Sequence, residues 1–266
     1  MVILRTSLIL IPLVVTACFM PSSDPIVVTR HPLLLGEDTV YVAVHEGPQE
    51  GPRYVAMHDN EDTGVAAVRQ VLAERGGRFV ELQHTGARNV TFQLAGQGYT
   101  FDPNRMFTEA GIRATLAREG AVTEAAVDEV QAFAERLLAF YALDEADVLI
   151  AIHNNTEGRY GVGSYQPGGS EAPNAARVAA PDSLELDDFF FITDASLFEP
   201  MRDAGFNVVL QDNDAVTDDG SLSVYCGQQG IDYVNVEAQH GHVEEQVVMI
   251  RWLAEQLAAR GAVDVR

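Results

Sequence analysis

The chain has 266 residues, of which 47% are hydrophobic, so it is long enough for one sizeable core and is not a disordered polypeptide. Its formal net charge is −22, and all 17 basic residues are arginine. Such an acidic chain argues against nucleic acid as a partner, because nucleic-acid binding needs a basic surface. It also argues against electrostatic attraction to anionic lipid.

The first residues predict export. Arg5 precedes an apolar stretch that runs through Val15, which is too short to span a bilayer and has the shape of a secretory signal. The stretch ends in VTAC (15–18), which resembles a bacterial lipobox and implies a signal peptide over residues 1–17 with a lipid on Cys18. An ordinary signal peptide with an incidental cysteine is the alternative. The expected location is the cell envelope, with the membrane reached only through the N-terminal lipid.

The rest of the chain divides into a tether and a domain. Residues 18–38 contain three prolines and no sustained periodicity, which predicts a tether. Residues 39–266 are then predicted to form one domain. Only two cysteines are present, so lipidation of Cys18 leaves Cys226 without a disulfide partner, and we expect it to be a small buried side chain.

Strand-like and helix-like segments alternate along this domain. Short apolar runs predict strands over residues 40–46, 53–58, 78–83, 89–96, 147–153, 189–193, 207–211 and 233–237. Amphipathic spacing predicts helices over 63–75, 123–141 and from near 242 to 259. This alternation predicts an α/β fold, a three-layer α/β/α sandwich around a mixed, largely parallel sheet.

Titratable residues close three of the predicted strands. His58, His153 and Glu237 each end an apolar run, and Glu61 follows three residues after His58. Binding sites of open α/β sheets form at the carboxyl ends of strands, and two histidines with one glutamate are a known zinc-ligand set. A further carboxylate could then take a proton from a metal-bound water. The alternatives are a solvated or capping His-x-x-Glu pair and a histidine satisfied within the core.

A further motif carries a family resemblance. Residues 99–107 read YTFDPNRMF, in which DPNR (102–105) resembles the Asp-x-Asn-Arg element of zinc carboxypeptidases and their deacylase relatives. The order of the motifs along the chain also resembles that superfamily of metallocarboxypeptidases and succinylglutamate desuccinylase/aspartoacylase enzymes. The resemblance implies zinc ligands at His58, Glu61 and His153 and a general base at Glu237.

The same resemblance implies roles for five more residues. Asp102 would accept a hydrogen bond from His58 and fix its tautomer. Asn104 and Arg105 would hold a substrate carboxylate. Arg88 would stabilise the developing oxyanion, with a surface arginine as the alternative. The remaining implied residue is a substrate-binding phenol on a mobile loop, Tyr225, for which core packing is the alternative.

The implied activity is zinc-dependent hydrolysis of an amide (peptide) bond next to a carboxylate-bearing residue in the cell envelope. Peptides, including the stem peptides of peptidoglycan, and N-acyl amino acids are the expected substrates. The chain departs from the family pattern at Pro103 and in its compact size. A zinc deacylase and a non-catalytic envelope binding lipoprotein of the same fold therefore remain as alternatives.

Overall fold

The computed structural model of the protein describes residues 26–143, 147–181 and 185–264. The signal peptide predicted over residues 1–17 and the lipidation site Cys18 lie outside the described residues. None of the helices in these segments has both the length and the apolar character that crossing a bilayer requires.

Strands and helices alternate through the domain, as the sequence pattern predicts. The strands are β1 (Val27–Leu35), β2 (Asp38–Glu46), β3 (Arg53–Ala56), β4 (Arg78–Gln83), β5 (Val90–Leu94), β6 (Gln97–Phe101), β7 (Leu149–Asn155), β8 (Ala175–Ala179), β9 (Phe189–Ile192), β10 (Val208–Gln211) and β11 (Tyr233–Gln239). The helices are α1 (Asp62–Arg75), α2 (Glu109–Glu119), α3 (Glu124–Tyr141), α4 (Phe198–Asp203), α5 (Leu222–Gln229) and α6 (Val243–Asp264).

In the described residues, nine strands form one mixed sheet in the order β1-β2-β4-β3-β7-β11-β9-β10-β8. The central strands β4, β3, β7 and β11 are parallel to one another. Antiparallel pairing occurs toward both edges, where β1 and β2 form a hairpin and β9 runs against β11. The predicted mixed sheet is confirmed, with its parallel pairing concentrated at the centre.

Helices cover both faces of this sheet. On one face, α1, α4 and α6 pack with strand residues such as Ile150 and Ile152. On the other, α2, α3, α5 and the separate β5–β6 hairpin pack with Leu149 and Ala151. Successive residues of β7 enter opposite clusters, which explains why this strand reads as a continuous apolar run. The three-layer α/β/α prediction is confirmed.

The predicted tether is wrong over residues 27–35. These residues form β1, which pairs antiparallel with β2 from Val27 opposite Glu46 to Leu35 opposite Asp38. Within β1 only Leu33 and Leu35 are buried, so the strand has no apolar alternation that the sequence could reveal. Its proline is tolerated because β1 lies at the edge of the sheet, where a missing backbone N–H breaks no inner ladder.

Candidate metal centre and its cavity

The sheet register brings distant residues to one place. Strands β7 and β11 pair in parallel with His153 opposite Glu237, and paired residues of neighbouring strands point to the same face. On the other side of β7, β3 ends at Ala56, two residues before His58. The carboxyl ends of the three central strands therefore surround a common space.

Helix α1 begins directly beside this space. The backbone N–H of Glu61, the residue before the helix, donates to the carbonyl of His58 at 3.2 Å and turns the chain back. In the first turn, the N–H of Gly64 donates to Oδ1 of Asn154 at 2.8 Å. A Cβ at Gly64 would lie 2.5 Å from Cγ2 of Ile152, so only glycine lets the helix start pack this closely against β7.

Three buried side chains meet with their ligand atoms turned inward. Nδ1 of His58 lies 2.8 Å from Oε1 of Glu61, and Nδ1 of His153 lies 3.0 Å from Oε2 of the same carboxylate. The two Nδ1 atoms are 3.2 Å apart. A tetrahedral zinc ion with bonds of about 2.0–2.1 Å spaces its ligand atoms by about 3.3 Å. The two imidazoles and the carboxylate therefore fit such an ion, and they form a candidate metal site.

Asp102 fixes the orientation of one ligand. Its Oδ1 lies 2.8 Å from Nε2 of His58, so a neutral imidazole keeps its proton on Nε2 and presents the Nδ1 lone pair to a metal. The carboxylate is itself held, because its backbone N–H donates to Oγ1 of Thr115 on α2 and its Oδ1 accepts the N–H of Asn104. Burial raises the pKa of Asp102, but its hydrogen bond to His58 outweighs this and holds the pKa well below its usual range.

Charge pairing governs the protonation of the ligands. Burial lowers the pKa of His58, but the carboxylates of Glu61 and Asp102 outweigh it and raise this pKa to about 9. Burial raises the pKa of Glu61, but the two imidazoles more than offset it and hold the pKa well below its usual range. Burial lowers the pKa of His153. A metal ion competes with protons for such ligands, so its affinity depends on pH.

Arg88 lies against the same carboxylates. Its guanidinium donates to Oε1 of Glu61 at 2.9 Å and to Oδ2 of Asp102 at 3.4 Å. About half of the side chain (47%) is exposed, and it forms part of a cavity wall. The position thus puts a positive charge beside the candidate metal, with one side of the guanidinium open to the cavity.

Glu237 is buried on the neighbouring strand without a cationic partner in the described residues. Its Oε2 accepts a hydrogen bond of 3.0 Å from Nδ2 of Asn235, two residues earlier on the same face of β11. Burial, together with the negative charge of Glu61, raises the pKa of Glu237 to about 8. A carboxyl group whose pKa lies near neutrality can both accept and return a proton, as a general base requires.

A cavity of about 740 Å³ joins these groups. Asn104 and Arg105 lie in its wall, where Asn104 Oδ1 accepts the N–H of Leu222 at 3.0 Å and Arg105 pairs with Asp219 at 3.4 Å. The predicted residues in its wall are Glu61, Arg88, Asn104, Arg105, His153 and Glu237.

Tyr225 does not join them. It lies on α5 and packs against the core, with its ring 6.2 Å from that of Phe107, and it is absent from the cavity wall. Its placement is the core-packing alternative, and the substrate-binding interpretation is corrected for this residue. Residue 225 lies within helix α5, which the short segment did not reveal.

Sequence reasoning missed several residues around the centre. Gln246 of α6 is fully buried and donates to the carbonyls of His153 and Val236, both at 3.0 Å, while Asn154 donates to its Oε1. This one side chain ties β7 to β11 beneath the candidate metal. A glutamine among the apolar residues of the last helix was a visible signal, and so was Asn235, two positions before Glu237.

No family model matches the chain, and no curated protein matches it. Solved structures do match at the level of the fold. They include a succinylglutamate desuccinylase/aspartoacylase from Rhodobacter sphaeroides, with 14% identity and a TM-score of 0.41 over 88% of this chain and 66% of that protein. This chain thus spans slightly less than two thirds of that relative's length.

Two further matches cover more of their own chains. The murein-tripeptide amidase MpaA from Escherichia coli O157 is 12% identical, with a TM-score of 0.44 over 91% of this chain and 95% of that one. Thrombin activatable fibrinolysis inhibitor is 12% identical, with a TM-score of 0.45 over 88% and 72%. At these identities and TM-scores the likeness transfers no activity and no substrate to this chain.

Proposed function

We propose that the protein is a zinc-dependent hydrolase that cleaves an amide bond next to a carboxylate-bearing residue. The observation that carries this proposal is the meeting of His58, Glu61 and His153 in one metal-ligand set, with Glu61, His153 and the buried Glu237 lining one cavity. The ligand set matches that of catalytic zinc sites, which use three protein ligands and leave one position for water.

The metal ligands, Glu237 and Arg88 have separate roles in the proposed reaction. His58, Glu61 and His153 would hold the zinc ion, which would supply a Lewis acid and lower the pKa of water toward about 7. Glu237 takes a proton from the attacking water and returns it to the leaving nitrogen. Arg88 offsets negative charge that develops on the scissile carbonyl oxygen.

Asn104 and Arg105 account for the proposed selection of a carboxylate. They are adjacent in the cavity wall, and a guanidinium fork matches the geometry of a carboxylate. The ion pair of Arg105 with Asp219 is long and half-exposed, so it leaves part of the guanidinium open to a substrate.

The proposal extends to the cell envelope. Lipidation of Cys18 would hold the domain at the membrane, where peptides and peptidoglycan stem peptides are available. N-acyl amino acids offer the same carboxylate beside an amide, and a deacylase would use the same residues. A binding lipoprotein, by contrast, has no need of a buried carboxyl group with a pKa of about 8 at Glu237.

The decisive experiment measures metal and turnover together. Protein purified without chelator is analysed for metal and assayed against N-acyl dipeptides and N-acetyl amino acids. We expect about one zinc per chain, loss of zinc in His58→Ala, and loss of turnover with zinc retained in Glu237→Gln. His31→Ala, on the exposed edge strand, is the matched control. Absence of metal from both wild type and His58→Ala would refute the proposal.

A further inference from the structure

Two tyrosines in the loop after β7 face the cavity together. Tyr160 and Tyr165 both lie in its wall, and their hydroxyl oxygens are 2.5 Å apart. The rings pack edge to face, with centroids 6.0 Å apart, and Tyr165 is only 7% exposed.

The hydrogen bond between the two hydroxyl groups leaves one O–H proton without an acceptor in the described residues. Two phenol groups carry two hydroxyl protons, and the bond between them consumes one. Among the residues that the structure describes, neither hydroxyl has another hydrogen-bond partner. Burial raises the pKa of both groups above the usual range for tyrosine, so both remain protonated. One O–H donor of the pair is therefore left to the cavity.

Packing places this donor beside the proposed general base. The ring of Tyr160 lies 5.5 Å from that of Phe189, and Phe189 stands directly opposite Glu237 in the antiparallel β9–β11 pair. Tyr165 packs against Phe191, which stands opposite Asn235. Paired residues share a face of the sheet, so the tyrosines and the carboxyl group of Glu237 border the same part of the cavity.

We propose that Tyr160 and Tyr165 act as one unit that donates a hydrogen bond to a substrate oxygen beside Glu237, with Tyr160 in contact and Tyr165 as a positioning residue. The inference rests on the proposed hydrolase function and specifies one substrate feature, an acceptor oxygen close to the scissile amide. A hydroxyl that bonds only to its neighbour loses nothing when the substrate leaves, so the pair suits reversible binding. Tyr225 is excluded from this role by its place in the core.

The chain supplies a matched set of tyrosine-to-phenylalanine variants. Tyr160→Phe removes the donor, Tyr165→Phe removes its support, and Tyr225→Phe removes a phenol outside the cavity. The probe is whichever member of the N-acyl dipeptide and N-acetyl amino acid panel the wild type cleaves fastest. We expect kcat/KM to fall about 10-fold in Tyr160→Phe and about 2- to 5-fold in Tyr165→Phe, and to change less than about 2-fold in Tyr225→Phe.

A second measurement distinguishes contact of the Tyr160 hydroxyl with the substrate from a purely structural role of that hydroxyl. The amine product of the same substrate is titrated calorimetrically into each zinc-loaded variant, and melting temperature and zinc content are measured alongside. Contact predicts weaker product binding or a lower kcat in Tyr160→Phe, with melting temperature and zinc unchanged. If the wild type is active and Tyr160→Phe stays within about 2-fold of it in kcat, KM and product affinity, the inference is overturned and the proposed function stands. A zinc-loaded wild type that cleaves no member of the panel overturns the proposed function, and the inference with it.

Discussion

Replacing Asp102 with asparagine should weaken metal binding without disturbing the fold. The substitution keeps the shape of the side chain, but it removes the negative charge that accepts the Nε2–H of His58 at 2.8 Å. An amide in that place no longer holds the imidazole proton on Nε2 as firmly. The Nδ1 lone pair is then presented to the metal for a smaller fraction of the time.

The magnitude follows from the contacts. A hydrogen bond to a charged group contributes about 1.5–3 kcal/mol, and each 1.4 kcal/mol is a factor of ten in affinity. The second contact of Asp102, to the half-exposed Arg88 at 3.4 Å, adds little because solvent screens it. We therefore expect zinc affinity to fall about 10- to 100-fold, the range typical of partners that orient a metal ligand.

Competition with a chromophoric chelator at neutral pH measures this affinity directly. Asp128→Asn, an exposed aspartate on α3, makes the same chemical change far from the centre and should bind zinc like the wild type. Equal zinc affinity in Asp102→Asn and wild type would refute the role of Asp102 in orienting His58.

Three further outcomes follow from the same structure. Chelation of a metal present at about 100 times its dissociation constant should lower the melting temperature by about 5–10 °C. Gln246→Leu removes three buried hydrogen bonds and should lower the free energy of unfolding, measured by urea denaturation, by about 3 kcal/mol, whereas the exposed Gln131→Leu should cost little. Burial lowers the pKa of His242, but its bond to Asp188 at 2.9 Å raises it overall. The stability that wild type gains over His242→Gln should therefore be largest below about pH 6.5 and vanish as pH rises through the folded-state pKa; an unchanged difference across this range would contradict the pairing.

Strong local patterns made much of the fold predictable. The strand predicted over residues 78–83 is β4, and the helix predicted over 123–141 is α3, whose Thr123 accepts the N–H of Ala126 as an N-cap. Period and capping are local properties, so they can be read without knowing what the segment packs against. Strand β1 and helix α2 lack a clear apolar period, although Thr108 caps α2 by accepting the N–H of Gly111. The former is exposed at the edge, and the latter buries Gly111 and Thr115 among few apolar residues.

The candidate site was predictable to the extent that its residues sit at strand ends. His153 and Glu237 each follow an apolar run, and the parallel order of their strands places them side by side. Contacts made by the loop after β7 had no such signal. Tyr160 and Tyr165 reach the site through tertiary packing, which no spacing along the chain specifies. Gln246 was visible as a polar residue in the last helix, but its partners on β7 and β11 could not be read from the sequence.

The distribution of charge partners distinguishes a catalytic site from a structural network of ion pairs. Burying an unpaired carboxylate costs several kcal/mol, so a structural site would pair every acid. Glu61 and Asp102 are paired, through the two imidazoles and Arg88. Glu237 is equally buried and receives only a neutral amide hydrogen bond. Burial raises its pKa, and the charges of Arg88 and His58 offset only part of this cost. The proton-transfer role that we propose accounts for a glutamate at a position where an apolar residue would be more stable.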